Sequence, residues 1–279
     1  MLNEPFLGTR REDGRNLPVL VWRAERPLLS ASSAALGGGL GVRSWVLNAT
    51  VPMSYDRDDP VEHLAELAAG FGLDSPGVGL LTGVDVAEVV ARTDTGVRVW
   101  ATVGLGVPIW AAAPPEPAPA VPEHVPAPPV PEHVPATAVP APAVPAPAVP
   151  APAVPAPAVP APAVPAPAVP ASAVPGADGH PVGTVNIVVY VPARLGPAAL
   201  INAVATATEA KAQAIAELGV PGTGTPTDAV TVCCPTEGPE APYGGPRSTW
   251  GAPLARAVHR AVLAGGARPV RPWSQQSVG

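Results

Sequence analysis

The segment TVNIVVYVPARLGPAALINAVATATEAKAQAIAEL, from Thr184 to Leu218, is the part of the sequence that decides the fold. Its first eight residues, Thr184 to Val191, are rich in β-branched side chains and predict a strand. The stretch from Pro197 to Leu218 carries apolar residues at helical spacing. Pro197 stands where a first helical residue is favoured, and Gly219 where a C-terminal cap is favoured. The segment therefore predicts a strand followed by a long helix.

Shorter patterns on both sides of this unit predict further strands and helices. Pro60 to Phe71 indicates a helix that Asp58 or Asp59 is placed to cap. Further strands are expected at 19–22, 28–33, 43–51, 77–82, 97–105 and 229–233, and a last helix near 253–264. Strands outnumber helices and both types mix along the chain. We therefore expect an α/β or α+β fold, a single layered domain with a mixed sheet and flanking helices.

A Pro/Ala-rich tract interrupts these elements. Residues 113–175 hold 24 of the 43 prolines and consist largely of Ala-Pro-Ala-Val-Pro repeats. Proline at this density removes backbone donors and prevents both helix and central strand, so we expect a disordered, extended polyproline II segment. Residues 1–112 and 176–279 are then the two parts of one domain, and 113–175 is a low-complexity insertion.

Two histidines recur inside the tract. His124 and His133 lie in two copies of Val-Pro-Glu-His-Val-Pro-Ala. Regular spacing suits metal ligands, but a repeated unit carries a repeated His in any case, so we predict no metal site. Proline-rich segments also dock in aromatic grooves of other proteins, which leaves a polyproline-binding partner open.

Composition excludes several classes of protein. The net charge of -6 and the absence of a basic run with interleaved aromatics argue against nucleic-acid binding. No stretch approaches the roughly 20 apolar residues of a membrane helix. The only two cysteines, Cys233 and Cys234, are adjacent, so on a strand they point to opposite faces and form no disulfide framework. We therefore expect a soluble, cytoplasmic protein.

Lys211 lies at the centre of the apolar stripe of the long helix. Its ammonium group must find a partner, reach past its neighbours to water or lose its proton, because an unpaired buried charge is costly. Perturbed lysines cluster at functional sites, but a structural ion pair is the commoner role. Thr208 is expected beside Lys211 on this face, whereas Glu209 points to the other side and is expected in solvent. The stripe itself comprises Leu200, Val204, Ala207, Ala214, Ile215 and Leu218.

Polar residues also recur on one face of two predicted strands. Thr184 and Asn186 alternate with apolar residues whose face is plainly core, and Asn48 lies on a similar face of an earlier strand. A half-polar face suits a surface open to solvent or the floor of a pocket, and the sequence favours solvent. The loop Gly222–Asp228 has the composition of loops that turn backbone amides toward an anion, although most such loops are simply turns. None of the common hydrolase motifs is present.

Two motifs resemble a known family. The run AVATATEAKA at 203–212, followed by TGTPTD at 223–228, resembles the signature of the adenosylcobinamide amidohydrolases, and GTVNI at 183–187 is similar to the strand that precedes it there. Further similarities lie in the GGGLG run at 37–41, VLN at 46–48, VP at 51–52, DP at 59–60 and VGLLT at 78–82. The resemblance covers nearly the whole chain outside the tract. It departs from the family after Leu105, where Gly106-Val107-Pro108 stands in place of an expected Asn.

The resemblance implies hydrolysis of the amide bond of adenosylcobinamide, giving adenosylcobyric acid and 1-aminopropan-2-ol in cobalamin salvage. It implies no cofactor. Amide hydrolysis needs proton transfer and a donor for the oxyanion. We assign Lys211 and Asp228 to proton transfer, with Glu209 in the same motif, and Thr208 or Thr227 to a hydroxyl contact. The substrate-binding candidates are Asn48 and Asn186 for the amides of the corrin, Thr184, and the loop residues Gly224 and Thr225 for the oxyanion.

Two other functions remain open. The missing Asn and the tract also suit a degenerate corrinoid-binding protein that no longer turns over its ligand. The tract alone suits an interaction scaffold that binds polyproline-recognising partners.

Overall fold

All eight strands of the described residues join one mixed sheet. The computed structural model describes residues 1–12, 14–52, 54–113 and 183–268. In chain order the elements are β1 (Phe6–Glu12), β2 (Arg15–Ser32), β3 (Gly39–Thr50), α1 (Pro60–Gly70), β4 (Val78–Thr82), β5 (Val90–Asp94), β6 (Val97–Leu105), β7 (Gly183–Tyr190), α2 (Pro197–Glu217), β8 (Ala229–Pro235) and α3 (Gly251–Gly266). This arrangement confirms the expected mixed α/β class.

The strand order is β4-β3-β2-β8-β7-β6-β5, and β1 pairs with β2 off this path. Most neighbours are antiparallel, but β3 pairs with β4 and β7 with β8 in parallel. The long β2 has an irregularity between Arg23 and Leu28. Before it, β2 lies between β1 and β3; after it, β2 lies between β3 and β8. A bulge of this kind bends a strand, so one strand serves two parts of the sheet.

The sheet folds over on itself, which produces three cores. We call β1 to β4 the first half-sheet and β5 to β8 the second. The middle core joins Trp22 and Val46 of the first half-sheet to Trp100 and Val188 of the second. One outer core packs α1 on β2 and β3, and the other packs α2 and α3 on β5 to β8. The described chain is therefore four layers deep, with a helix layer on each side of two half-sheets.

The face of β7 that carries Asn186 is buried, not open to solvent. Thr184, Asn186, Val188 and Tyr190 are 6%, 2%, 1% and 7% exposed. The expectation of a solvent face was wrong because the first half-sheet covers it. The same two-sided burial separates the cysteines as predicted, since Cys233 belongs to the middle core and Cys234 to the α2 and α3 core.

The long helix agrees most closely with the sequence. Helix α2 begins at Pro197 and ends at Glu217, and Gly219 adopts a φ of 70° beyond its end. That left-handed conformation is the one that favours glycine. Two further differences concern the first half-sheet: the strands expected at 19–22 and 28–33 are one strand, and β1 was not predicted.

The remaining expectations concern parts of the chain that are not described. Nearly all of the Pro/Ala-rich tract, with His124 and His133, lies outside the described residues. Strand β6 precedes the tract and β7 follows it, and the two pair directly from Arg98 and Tyr190 to Leu105 and Gly183. In the described ranges, none of the helices has the length and apolar character needed to cross a bilayer.

Candidate functional site

Asp228 stands at the entrance of β8 and binds three other parts of the chain. Its Oδ1 accepts hydrogen bonds from the Val185 amide at 2.8 Å and from the Thr225 hydroxyl. Its Oδ2 accepts from the Thr225 amide at 3.0 Å and from Lys211 Nζ. A carboxylate has about four acceptor positions, so this carboxylate is saturated. Asp228 therefore ties α2, β7 and the loop before β8 together.

Lys211 finds its partner in Asp228, which explains how a charged residue is accommodated on the buried face of α2. The two side chains are only 8% and 10% exposed. Gly224 makes this approach possible, because a Cβ there would lie 2.4 Å from Asp228 Oδ2 and 2.5 Å from Lys211 Nζ. The Lys211–Asp228 pair and the glycine form one tightly packed unit.

The loop Gly222–Asp228 pairs with the segment that follows β6. The Ile109 amide donates to the Gly224 carbonyl at 2.8 Å, and the Thr223 amide donates to the Ile109 carbonyl at 2.8 Å. The Thr225 amide is bound to the carboxylate at the end of the loop. The amides of Thr223 and Thr225 are therefore engaged within the protein. The use of Gly224 and Thr225 for an oxyanion stays a prediction.

Two threonine hydroxyls lie between the Lys211–Asp228 pair and the surface. Thr184 and Thr227 lie 2.8 Å apart through their hydroxyl oxygens. Thr184 is 6% exposed, whereas Thr227 is exposed. Because Thr227 directly precedes Asp228, its hydroxyl is the candidate from this corner that reaches solvent.

Thr208 and Glu209 lie outside this unit. Thr208 is exposed and donates its hydroxyl to the Val204 carbonyl at 3.0 Å, so it does not share the buried surroundings of Lys211. The expectation that Thr208 shares the buried face of Lys211 was wrong, since Thr208 is exposed. Glu209 is exposed, as expected.

Asn48 and Asn186 meet between the two half-sheets. Asn186 Nδ2 donates to Asn48 Oδ1 at 3.0 Å and to the Leu81 carbonyl at 2.9 Å. Asn48 Nδ2 donates to the Thr102 hydroxyl at 3.1 Å. Since the Leu81 carbonyl only accepts, the orientation of Asn186 is fixed, and its buried Oδ1 has no partner among the described residues. Both predicted substrate-binding amides are thus together, but each is only 2% exposed.

A second cluster, Tyr55, His63, Glu12 and Arg10, was not predicted from the sequence. The Tyr55 hydroxyl lies 3.0 Å from His63 Nδ1, and the two rings stack with centroids 5.5 Å apart. His63 Nε2 faces Glu12 Oε2 at 3.7 Å, and Arg10 Nε donates to that oxygen at 2.8 Å. We call these four residues the Tyr55 cluster. They come from β1, the loop before α1 and α1, so no single periodic pattern contains them.

Burial sets the protonation of this cluster. It lowers the pKa of His63 below its ordinary value of 6.5, and the Glu12 carboxylate opposes that shift. Burial likewise raises the pKa of Tyr55 above 10.0. At neutral pH the imidazole is therefore neutral and the phenol is protonated.

Neither cysteine is poised for nucleophilic chemistry. Burial raises the pKa of Cys233 to about 12 and also raises the pKa of Cys234. Both thiols are therefore protonated at neutral pH, and a thiol attacks poorly. Across the described ranges, no group of three or more His, Cys, Asp or Glu residues is arranged to hold a metal ion.

Comparison with known proteins gives one consistent name. A family model described as adenosylcobinamide amidohydrolase matches residues 7–271. A curated adenosylcobinamide amidohydrolase from Methanosarcina mazei is 41% identical over 92 residues, which cover 30% of this chain and 46% of that protein. One of the same name from Halobacterium salinarum is 46% identical over 85 residues, which cover 30% of this chain and 36% of that protein. The matched stretch thus spans less than half the length of either relative.

Proposed function

Because the chain belongs to the adenosylcobinamide amidohydrolase family, we propose that it is an amidohydrolase that cleaves the amide bond of adenosylcobinamide. The products are adenosylcobyric acid and 1-aminopropan-2-ol, and the reaction serves cobalamin salvage. The match over residues 7–271 is the observation that carries the proposal, and both curated relatives bear the same name. A cytoplasmic location is part of the proposal, since two free cysteines suit a reducing compartment.

The proposed site is the end of the molecule where β3 and β4 finish and β7 and β8 begin. The contact between Asn48 near the end of β3 and Asn186 near the start of β7 supports the meeting of these strand ends. The loop Gly222–Asp228 and the exposed Thr227 hydroxyl belong to the same end. The carboxyl ends of parallel strands, such as β3 and β4 here, and the loops that follow them are where layered α/β proteins commonly bind ligands.

The Lys211–Asp228 pair has two conceivable roles in this site. As a proton-transfer group it must first separate, because the carboxylate is already saturated by donors. As a fixed ion pair it holds the loop and the Thr227 hydroxyl in place. The contacts favour the second role, and proton transfer by either residue stays a prediction.

Asn48 and Asn186 suit recognition of the peripheral amides of a corrin, since each side chain offers a donor and an acceptor. With 2% exposure, they reach a substrate only after the two half-sheets separate locally. Asn186 Oδ1 is the acceptor that such an opening makes available.

The direct test is incubation of the purified full chain with adenosylcobinamide and measurement of released 1-aminopropan-2-ol and adenosylcobyric acid by mass spectrometry. We expect stoichiometric release of both products. Lys211→Met and Asp228→Asn should lower turnover more than Glu209→Gln, because Glu209 is exposed and the pair is buried. If Lys211→Met and Asp228→Asn kept near-parent turnover while Glu209→Gln lost it, the site would lie on the exposed side of α2 instead.

One observation favours a second function. Gly106-Val107-Pro108 follows Leu105 where the family resemblance leads us to expect an Asn. A chain that has lost this side chain can retain corrinoid binding and lose turnover. Binding of adenosylcobinamide, seen as a change in the corrin absorption spectrum, without product release would select this second function.

A further inference from the structure

We propose that Tyr55, His63 and Glu12 form the proton relay of the hydrolysis. This inference rests on the proposed function and adds residues to it that the family motifs at 203–212 and 223–228 do not contain. The three side chains line up as hydroxyl, imidazole and carboxylate. The hydroxyl lies at hydrogen-bond distance from the imidazole, 3.0 Å, and the carboxylate oxygen lies 3.7 Å from the other ring nitrogen. That is the order of groups in which an imidazole exchanges a proton with a hydroxyl while a carboxylate orients it.

The charge on Glu12 selects the tautomer of His63. A carboxylate only accepts, so the ring proton of a neutral His63 is favoured on Nε2, which faces Glu12 Oε2. Nδ1 then carries the lone pair and accepts the Tyr55 O–H at 3.0 Å. His63 is therefore set as the base and Tyr55 as the proton donor.

Tyr55 is more exposed than His63, as proton donation from the phenol to a substrate requires. His63 is 3% exposed, whereas Tyr55 is half-buried. Of the hydroxyl and the imidazole, the phenol is therefore the group that can meet a ligand or a water molecule directly, and the imidazole acts through it. Glu12 touches only His63 and Arg10 within the cluster, so it is a positioning residue.

The relay lies at the same end of the molecule as the proposed site. Tyr55 belongs to the loop that leaves the end of β3, and His63 lies in the first turn of α1, which that loop enters. Asn48 is two residues from the end of this strand's pairing with β4 and contacts β7. A corrin is a large ligand, so groups from both half-sheets can contact one molecule of it.

The relay would take up a proton in the first step of the hydrolysis and return it in the second. As water adds to the amide carbon, its proton passes to the Tyr55 oxygen while the Tyr55 proton moves to His63 Nδ1, which leaves an imidazolium facing Glu12 and an oxyanion on the substrate. As the carbon–nitrogen bond breaks, the imidazolium returns its proton to the Tyr55 oxygen and Tyr55 protonates the leaving nitrogen. The products are the carboxylic acid and the free amine, and His63 ends neutral.

The alternative is that the cluster only fixes the loop residues 54–59 on α1 through the stacked rings. Tyr55→Phe separates the two roles because it keeps the ring and removes the hydroxyl. We expect this variant to lower kcat about 100-fold or more with little change in KM, which is the range of general acid–base catalysis. Tyr243→Phe is the matched control, since Tyr243 is 71% exposed and should keep the parent kcat.

The pH dependence of kcat distinguishes the relay from a purely structural role, because a structural role would leave it unchanged. The relay needs neutral His63, so kcat falls as pH drops through the pKa of His63, which burial places below 6.5. Glu12 raises that pKa, so in Glu12→Gln the acidic limb of the residual activity should shift to lower pH. The charged and titratable groups that surround His63 are Arg10 and Glu12 of β1, Tyr55, Arg57 and Asp59 of the loop, and Glu66 of α1.

The experiment measures kcat, KM and the acidic limb for the parent, Tyr55→Phe, Glu12→Gln and Tyr243→Phe with adenosylcobinamide, and checks each fold by circular dichroism. A folded Tyr55→Phe variant that retains more than half of the parent kcat overturns the relay and leaves the proposed function intact. An acidic limb that does not move in Glu12→Gln overturns the role of Glu12 and His63. A parent without turnover overturns the proposed function, and the relay with it.

Discussion

The Lys211–Asp228 pair and the Tyr55 cluster both place charged groups beside the core, but their bonding differs. Every acceptor position of Asp228 is occupied, at contacts of 3.0 Å or less. In the Tyr55 cluster, Nε2 of His63 remains 3.7 Å from the nearest carboxylate oxygen, beyond hydrogen-bond distance. A saturated carboxylate has no free acceptor position for a further proton. In the Tyr55 cluster the lone pair of His63 Nδ1 lies beside the Tyr55 hydroxyl and can take up its proton. The difference suggests that one region maintains the fold and the other moves protons.

The largest effect is expected from Asp228→Ala. It leaves the Lys211 ammonium, the Val185 amide and the Thr225 donors without their acceptor at a site about 10% exposed. Breaking a buried pair in this way costs about 3–5 kcal/mol of the free energy of unfolding, measurable by urea titration. Glu88→Ala is the control, because the Glu88–Arg268 pair is exposed and should cost less than about 1 kcal/mol. Equal losses in the two variants would contradict the structural role.

Gly224→Ala tests how tightly the same region is packed. The added methyl group would lie 2.4 Å from Asp228 Oδ2, so the pair or the loop must shift. Overpacking of this kind costs about 1–3 kcal/mol. Gly70→Ala is the matched control, since its Cβ would meet nothing within 4 Å and alanine favours the helix. If Gly224→Ala left the free energy of unfolding unchanged in the same urea titration, the pair and the loop would have to accommodate the added methyl group without cost.

Substitution in the Tyr55 cluster should affect activity strongly and stability only weakly. Tyr55→Phe removes one hydrogen bond and keeps the stacked ring, which costs about 0.5–1.5 kcal/mol of the free energy of unfolding. Thermal unfolding of the variant and the parent gives this value. A loss above about 3 kcal/mol would place Tyr55 with Asp228 among the residues that hold the fold.

The smallest effect is expected from the Pro/Ala-rich tract, which lies outside both regions. We propose that residues 1–112 and 176–279 make one domain, because β6 and β7 pair directly across the tract in sequence. Replacing residues 114–175 by a Gly-Ser linker of about a quarter of that length should change the free energy of unfolding by about 1 kcal/mol, at about 0.6 kcal/mol per doubling. Loss of folded protein would show that the tract is not an insertion.

The sequence predicts best what is local. The bounds of α2 agree within one residue because Pro197 and Gly219 act on the backbone beside them. The need of Lys211 for a partner also follows from its own helix. Its identity does not, because Asp228 reaches it through a close approach at Gly224 that no periodic pattern encodes.

What the sequence does not predict depends on distant strands. Whether Asn186 faces solvent or a second layer depends on the bend of β2 between Arg23 and Leu28, which brings the first half-sheet over β7. The helix cap shows the same limit on a smaller scale. Asp59 occupies the N-cap position of α1 but makes no capping bond, because Arg57 binds its carboxylate.

The bent strand β2 also sets the order in which the chain can be completed during synthesis. Its segment from Leu28 to Ser32 pairs with β3 on one edge and with β8 on the other, and the contact between Ser30 and Cys233 joins residues 203 positions apart. At the ribosome, one edge of β2 therefore stays uncovered until almost the whole chain has been made. An uncovered strand edge is a template for pairing with other chains. Until β8 emerges, this edge of β2 is therefore a place where the nascent chain can pair with another chain.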